Sequence, residues 1–371
     1  MRTPLQLPLA LALLALASCV ATAPEVERRG AACVVRAPGA VEATAVLELA
    51  QLQADAIVEL YGEGARALDE SRPLAIWLQD EPAQPGLGLR SHADAEGFYA
   101  HAHHRIHLRR DTERLDRTLA HELAHACLPP DWCRLPGSLE EGLADTISAL
   151  VVPDAAASLR AGRLSAAAFA TGGLLVEVMI DLPDEGGLAR ATYATRLRLE
   201  ADEEISVAPA RVFEVDAGLS GQGGNAAERK ALYGLAYLVV SRVHARHGME
   251  GLRSLCADAG PGVAARWLRA AELELEQPAL RLAVGSEFGP RETWELLRRQ
   301  PDFLVELLAS ALMPWSADLE AALARTRVRI AFVGGDPRGV DLPFVRALRA
   351  RVAKAQSALR TGEGPQDIAD S

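Results

Sequence analysis

Lysine is almost missing from this chain. Lys230 and Lys354 are the only two in 371 residues, so nearly all of the 39 basic side chains are arginines, scattered among 50 acidic ones. With a net charge of −11 and no basic block, the chain lacks the clustered cations that phosphate backbones need, which argues against a nucleic-acid partner. No apolar run reaches the roughly 18–20 residues of a membrane span. A Gly-rich phosphate loop and a Gly-x-Ser-x-Gly elbow are both absent, as is any internal repeat. What is present is ordinary globular composition, 49% hydrophobic and 24% charged. The length fits two domains or one large two-lobed one, either able to bury a core without staples.

The N-terminus carries an address. Arg2 supplies a positive end, and residues 4–17 are almost continuously apolar, too short for a span but suited to the core of a secretory signal. The run ends in Leu16-Ala17-Ser18-Cys19. A Cys in that setting resembles the bacterial lipobox, in which the Cys becomes the lipidated first residue of the mature protein. The resemblance implies lipidation at Cys19 and an envelope protein anchored to the membrane rather than spanning it. Val20 in place of Asp implies an outer-membrane address facing the periplasm.

Four other cysteines remain: Cys33, Cys127, Cys133 and Cys256. Outside the cytosol an even number permits two disulfides in three connectivities. Cys127 and Cys133 are close enough in sequence to clip one loop, which leaves Cys33 with Cys256; buried free thiols are the alternative.

Along the chain, residues 1–18 read as signal peptide and 19–40 as a tether with Pro24, Pro38 and Gly39. Residues 41–135 read as an α/β lobe, 136–358 as a mainly helical lobe and 359–371 as a polar tail. In the first lobe Val46, Leu49, Ile57 and Leu60 recur at helical intervals before Gly62. Residues 73–78 predict a short buried strand, and residues 97–108 two strands around a turn. That turn holds His101, His103 and His104, with His107 beyond; a solvated turn is the expectation for them. A helix follows, capped by Asp111 or Thr112, with Leu115, Leu119 and Leu123 as its core stripe, and Pro129-Pro130 stops it. Further helices are expected over 138–151, 159–171, 173–180, 226–247, 262–273, 293–313, 316–324 and 342–359.

The chemistry sits in His121-Glu122-Leu123-Ala124-His125. Residues four apart on a helix differ by about 40° and about 6 Å, so both imidazoles can grip one ion. Glu122, one step round, is free to act on a water. This is the HExxH arrangement of a zinc hydrolase, with two His ligands and a carboxylate general base. A catalytic zinc needs a third protein ligand and an open position. Glu140 and Glu141 offer a carboxylate at the next helix start, although Ser138 and Glu141 also have the spacing of a capping box.

Glu141-Gly142-Leu143-Ala144 resembles the third-ligand motif of gluzincin metallopeptidases. The resemblance implies that Glu141 binds zinc, with Glu140 as substitute. It further implies that Asp145 is the acid that orients a ligand His, a role zinc-bound imidazoles generally require. Downstream, Ala231-Leu232-Tyr233-Gly234-Leu235-Ala236-Tyr237 resembles the gluzincin aminopeptidase helix whose first Tyr serves the oxyanion, which implies that role for Tyr233, with Tyr237 as fallback. The similarity covers roughly residues 97–250. It lacks the Gly-x-Met-Glu-Asn anchor of aminopeptidases, has a shorter His125-to-Glu141 spacing, and carries Ser138 where many relatives have Trp.

The sequence therefore predicts an α+β protein: a small sheet-plus-helix lobe bearing HExxH, packed on a mainly helical lobe with a zinc cleft between them. The expected activity is zinc-dependent peptide hydrolysis on a peptide or protein substrate, with the strand near Ile106 pairing with an extended substrate backbone. The alternative is a non-catalytic metal-binding or pseudoenzyme envelope lipoprotein with an assembly or binding role.

Overall fold

The computed structural model describes residues 26–80, 96–181, 192–199, 207–215, 226–258, 260–289, 291–292, 295–296 and 326–331. The fold is α+β, and the chain divides into two units, residues 1–129 and 130–371. Among the described residues no helix is long and apolar enough to cross a membrane. Cys19 lies outside the described residues, as do the helices expected over 316–324 and 342–359 and most of the one over 293–313.

The first unit is a five-stranded sheet in the order β1-β2-β3-β5-β4. Its strands are β1 (Val26–Arg29), β2 (Cys33–Ala37), β3 (Leu74–Gln79), β4 (Gly97–Ala100) and β5 (Arg105–Arg109). Strands β2, β3 and β5 run parallel, while β1 and β4 are antiparallel to their neighbours. Alternation decides the faces: Val35, Ile76, Ile106 and Leu108 are fully buried on one side. The β1–β2 pair occupies part of the segment expected to be a tether. The apolar alternation of Cys33, Val35 and Ala37 is what recruits it into the sheet.

Parallel strands need a crossover, and α1 (Ala40–Tyr61) supplies it between β2 and β3. Its buried stripe runs Ala43, Val46, Ala50, Ala54, Ile57, Tyr61, at helical spacing. Burying side chains such as Val46 and Ile57 contributes about 1.5–3 kcal/mol each, whereas exposed ion pairs such as Arg29–Glu27 are screened by solvent and contribute little. Packing therefore dominates. Helix α2 (Leu115–Ala126) lies against α1: Gln53 Nε2 donates to the Asp116 carbonyl at 2.9 Å, and the Tyr61 hydroxyl donates to the Ala124 carbonyl at 3.0 Å. Neither Asp111 nor Thr112 caps α2, which begins after Arg114 with no side-chain cap. Asp111 is instead held by the Arg109 guanidinium, and the Thr112 hydroxyl donates to the Glu96 carbonyl.

The second unit is built on α3 (Leu139–Val151), α4 (Pro153–Ala170) and α5 (Ala226–Ala257). Two glycines let these helices meet backbone to backbone. A Cβ on Gly142 would lie 2.4 Å from the Ala236 carbonyl of α5, and one on Gly234 would lie 2.3 Å from the Ala167 nitrogen of α4. Helix α5 is interrupted at Gly248 (φ 62°), where the sequence expects closure, and then resumes to Ala257. Helices α6 (Val263–Ala271) and α7 (Gln277–Ser286) follow, with Trp267 fully buried.

The helix expected over 173–180 is instead β6 (Leu174–Asp181), the centre of a sheet with β7 (Thr192–Leu199) and β8 (Thr326–Ala331) in the order β7-β6-β8. Gly172 and Gly173, at φ 74° and 94°, end α4, and the Val176, Val178, Ile180 alternation suits a strand.

Candidate metal centre

Strand β5 leads through a turn at residues 110–114 into α2, which carries the His pair. His121 and His125 turn their Nε2 atoms toward each other at 3.3 Å, with ring centroids 5.0 Å apart. Two nitrogens bound tetrahedrally at 2.0–2.1 Å to one zinc stand about 3.3–3.4 Å apart. The spacing of the pair therefore matches that of two ligands of one ion. His125 and Glu122 are buried, and His121 is half-buried.

Helix α3 carries the third donor. His121, His125 and Glu141 each offer one ligand atom, and these atoms all lie within 4.8 Å of one another. Among the described residues this is the group of His, Cys, Asp and Glu side chains suited to hold a metal. Two imidazoles and one carboxylate are the donor chemistry of a catalytic zinc site. Ser138 does not form the alternative capping box. It stands at the N-cap position without a side-chain cap bond, and its hydroxyl donates to the Val215 carbonyl at 2.5 Å.

Asp145, one turn beyond Glu141, is buried, and both its oxygens accept from Arg163 of α4, at 2.5 Å from Nε and 3.0 Å from a terminal nitrogen. The Arg163 guanidinium also lies 4.9 Å from the centre of the Tyr233 ring. Burial alone would pull the arginine's pKa down. The charge and hydrogen bonds of Asp145 outweigh burial, with Tyr233 and Glu141 adding to them, and the pKa is raised. Arg163 thus ties together three residues singled out in the sequence, and it is not itself among the residues the sequence motifs point to. Its signal was available: it falls in the buried stripe of Leu159, Ala166 and Ala170, where a charge requires a partner. Tyr233 is half-buried, while Tyr237 is a core residue whose hydroxyl is pushed upward in pKa by burial.

The histidine-rich turn divides by role. His107 is buried, not solvated: it stacks on Phe98 at 4.5 Å, meets Trp77 edge-on at 5.3 Å, and places Nδ1 3.2 Å from Gln79 Oε1. Burial, with Arg105 and His103 nearby, lowers its pKa to about 4. His104 sits in left-handed backbone at φ 48°, with Nδ1 2.9 Å from the Tyr99 hydroxyl. His101 is exposed on a 3-10 turn, its ring centre 6.5 Å from that of His125.

Two expectations are corrected here. Strand β5, which contains Ile106, is paired on both sides and has no edge to offer a peptide; the edge strands are β1 and β4. Cys127 is a free, fully buried thiol, so it makes no Cys127–Cys133 bridge. It stands at the C-cap of α2 in the core, and burial raises its pKa to about 12. Cys33 and Cys256 are also buried free thiols, while the Cys133 side chain lies outside the described residues.

Compared with known proteins, the chain matches no family model, no curated protein and no solved structure.

Proposed function

We propose that this chain is a zinc-dependent metallopeptidase of gluzincin type, held at the bacterial envelope by lipid on Cys19. The observation that carries the proposal is the facing pair of imidazole nitrogens at 3.3 Å with a Glu141 oxygen inside 4.8 Å. His121, His125 and Glu141 would hold Zn²⁺, which when bound supplies Lewis-acid charge and lowers the pKa of its water to about 7. Glu122 takes the proton of the attacking water and returns it to the leaving amine. The Tyr233 hydroxyl donates a hydrogen bond to the oxyanion of the tetrahedral carbon. Arg163 steadies both the Tyr233 ring and Asp145, and Asp145 shares the helical face of Glu141.

The test is metal analysis of the purified protein, then a peptide-library digest read by mass spectrometry. About one zinc per chain and defined cleavage sites are expected. Glu122→Gln should keep the zinc and lose at least about 100-fold in turnover, the scale of a general base. Equal turnover by the wild type and this variant would refute the mechanism. A zinc-loaded protein that cleaves nothing and unfolds on chelation, followed by circular dichroism, would favour the non-catalytic lipoprotein. Cys19→Ser should move the protein from the membrane fraction to the soluble envelope fraction; persistence in the membrane fraction would rule out the lipid anchor.

A further inference from the structure

The turn between β4 and β5 is built more firmly than a solvated loop requires. Tyr99 pairs in register with Ile106 and so points to the sheet face that the helices cover. Its ring meets His101 edge-on at 4.5 Å, and its hydroxyl lies 2.9 Å from His104 Nδ1. His104 accepts a left-handed backbone, which costs a non-glycine residue about 1–2 kcal/mol, and its carbonyl takes the Ala75 amide at 3.3 Å. Tyr99 and β3 thus clamp the turn from both ends.

The clamped turn presents His101 outward while holding its ring 6.5 Å from that of His125. Among the described residues the ligand group comprises His121, His125 and Glu141, so His101 stands beside the donor set without belonging to it. An exposed imidazole whose ring centre lies 6.5 Å from that of a ligand imidazole is near enough to meet a substrate held beside that ligand. We propose that His101 is a further catalytic residue, donating its ring N–H to the scissile carbonyl oxygen as negative charge develops there. The proposal rests on the peptidase function above. A neutral imidazole carries one such donor, so no change of protonation is needed.

The test uses the full-length protein in detergent and compares His101→Ala, His101→Gln and His103→Ala with the wild type. His101→Ala should keep about one zinc per chain and lose on the order of 100-fold in kcat, with KM changed little, the usual effect of losing one oxyanion donor. His101→Gln, which keeps a donor, should recover part of the loss, and His103→Ala should stay within about twofold of the wild type. A readout free of turnover comes from Co²⁺-loaded protein and a peptide phosphonamidate. His101→Ala should leave the cobalt absorption spectrum unchanged while weakening phosphonamidate binding at least about tenfold. Wild-type kcat and phosphonamidate affinity in His101→Ala would overturn the proposal. So would loss of zinc or an altered cobalt spectrum, which would make His101 a ligand. If the wild type itself takes up no zinc, or Glu122→Gln retains full turnover, it is the peptidase function that fails.

Discussion

The two units bury polar side chains in opposite ways. In the first, His107 is packed between Phe98 and Trp77 and is kept neutral, its pKa lowered to about 4. In the second, Arg163 keeps its charge because the Asp145 carboxylate meets it through two hydrogen bonds. A neutral ring needs partners for its nitrogens, as Gln79 Oε1 supplies at 3.2 Å, but leaves no charge behind when a neighbour is lost. A buried ion pair loses much more when one partner goes, because the remaining charge has nowhere to be solvated. The unit that carries Glu141 is therefore the more brittle.

The sharpest way to break this contrast is Arg163→Met, which strips Asp145 of its guanidinium. Removing one member of a buried pair costs about 3–5 kcal/mol, and the lower end applies because Arg163 keeps some solvent access. Urea unfolding should show that loss, and zinc affinity should fall with it. Stability unchanged within about 0.5 kcal/mol would mean that the pair does not carry the helix.

The neutral His107 yields a smaller and pH-dependent effect. Unfolded, it titrates near 6.5; folded, near 4. The unfolded chain therefore binds the extra proton between these values, and stability is lost as pH falls from about 6.5 to 4, by up to about 3 kcal/mol. His107→Phe should flatten that part of the stability–pH curve, as followed by denaturant midpoints. An unchanged slope would show that another group is responsible.

How much of this was legible in the sequence differs residue by residue. The His121–His125 pair is readable because a helix brings residues four apart together without outside help, and the structure sets their nitrogens at ligand spacing. The strand alternation at residues 74–78 and the paired strands over 97–108 are readable for the same local reason. Arg163 was not read, since only the packing of α3, α4 and α5 brings it to Asp145 and Tyr233. Residues 174–181 were misread because a short apolar run fits a buried helix and a strand equally well, and the partners that decide between them lie far away at Thr192–Leu199 and Thr326–Ala331. The burial of His107 is not legible locally because Phe98 and Trp77 face it from the two strands that flank β5, one on each side.

Gly142 follows Glu141 directly and rests on the main chain of α5 at Ala236. The separation of α3 from α5 at that point is thus gauged by two bare backbones, with no side chain serving as a shim. A methyl added at 142 would meet main chain rather than the yielding end of a side chain, so α3 would have to give way there and carry the neighbouring carboxylate with it.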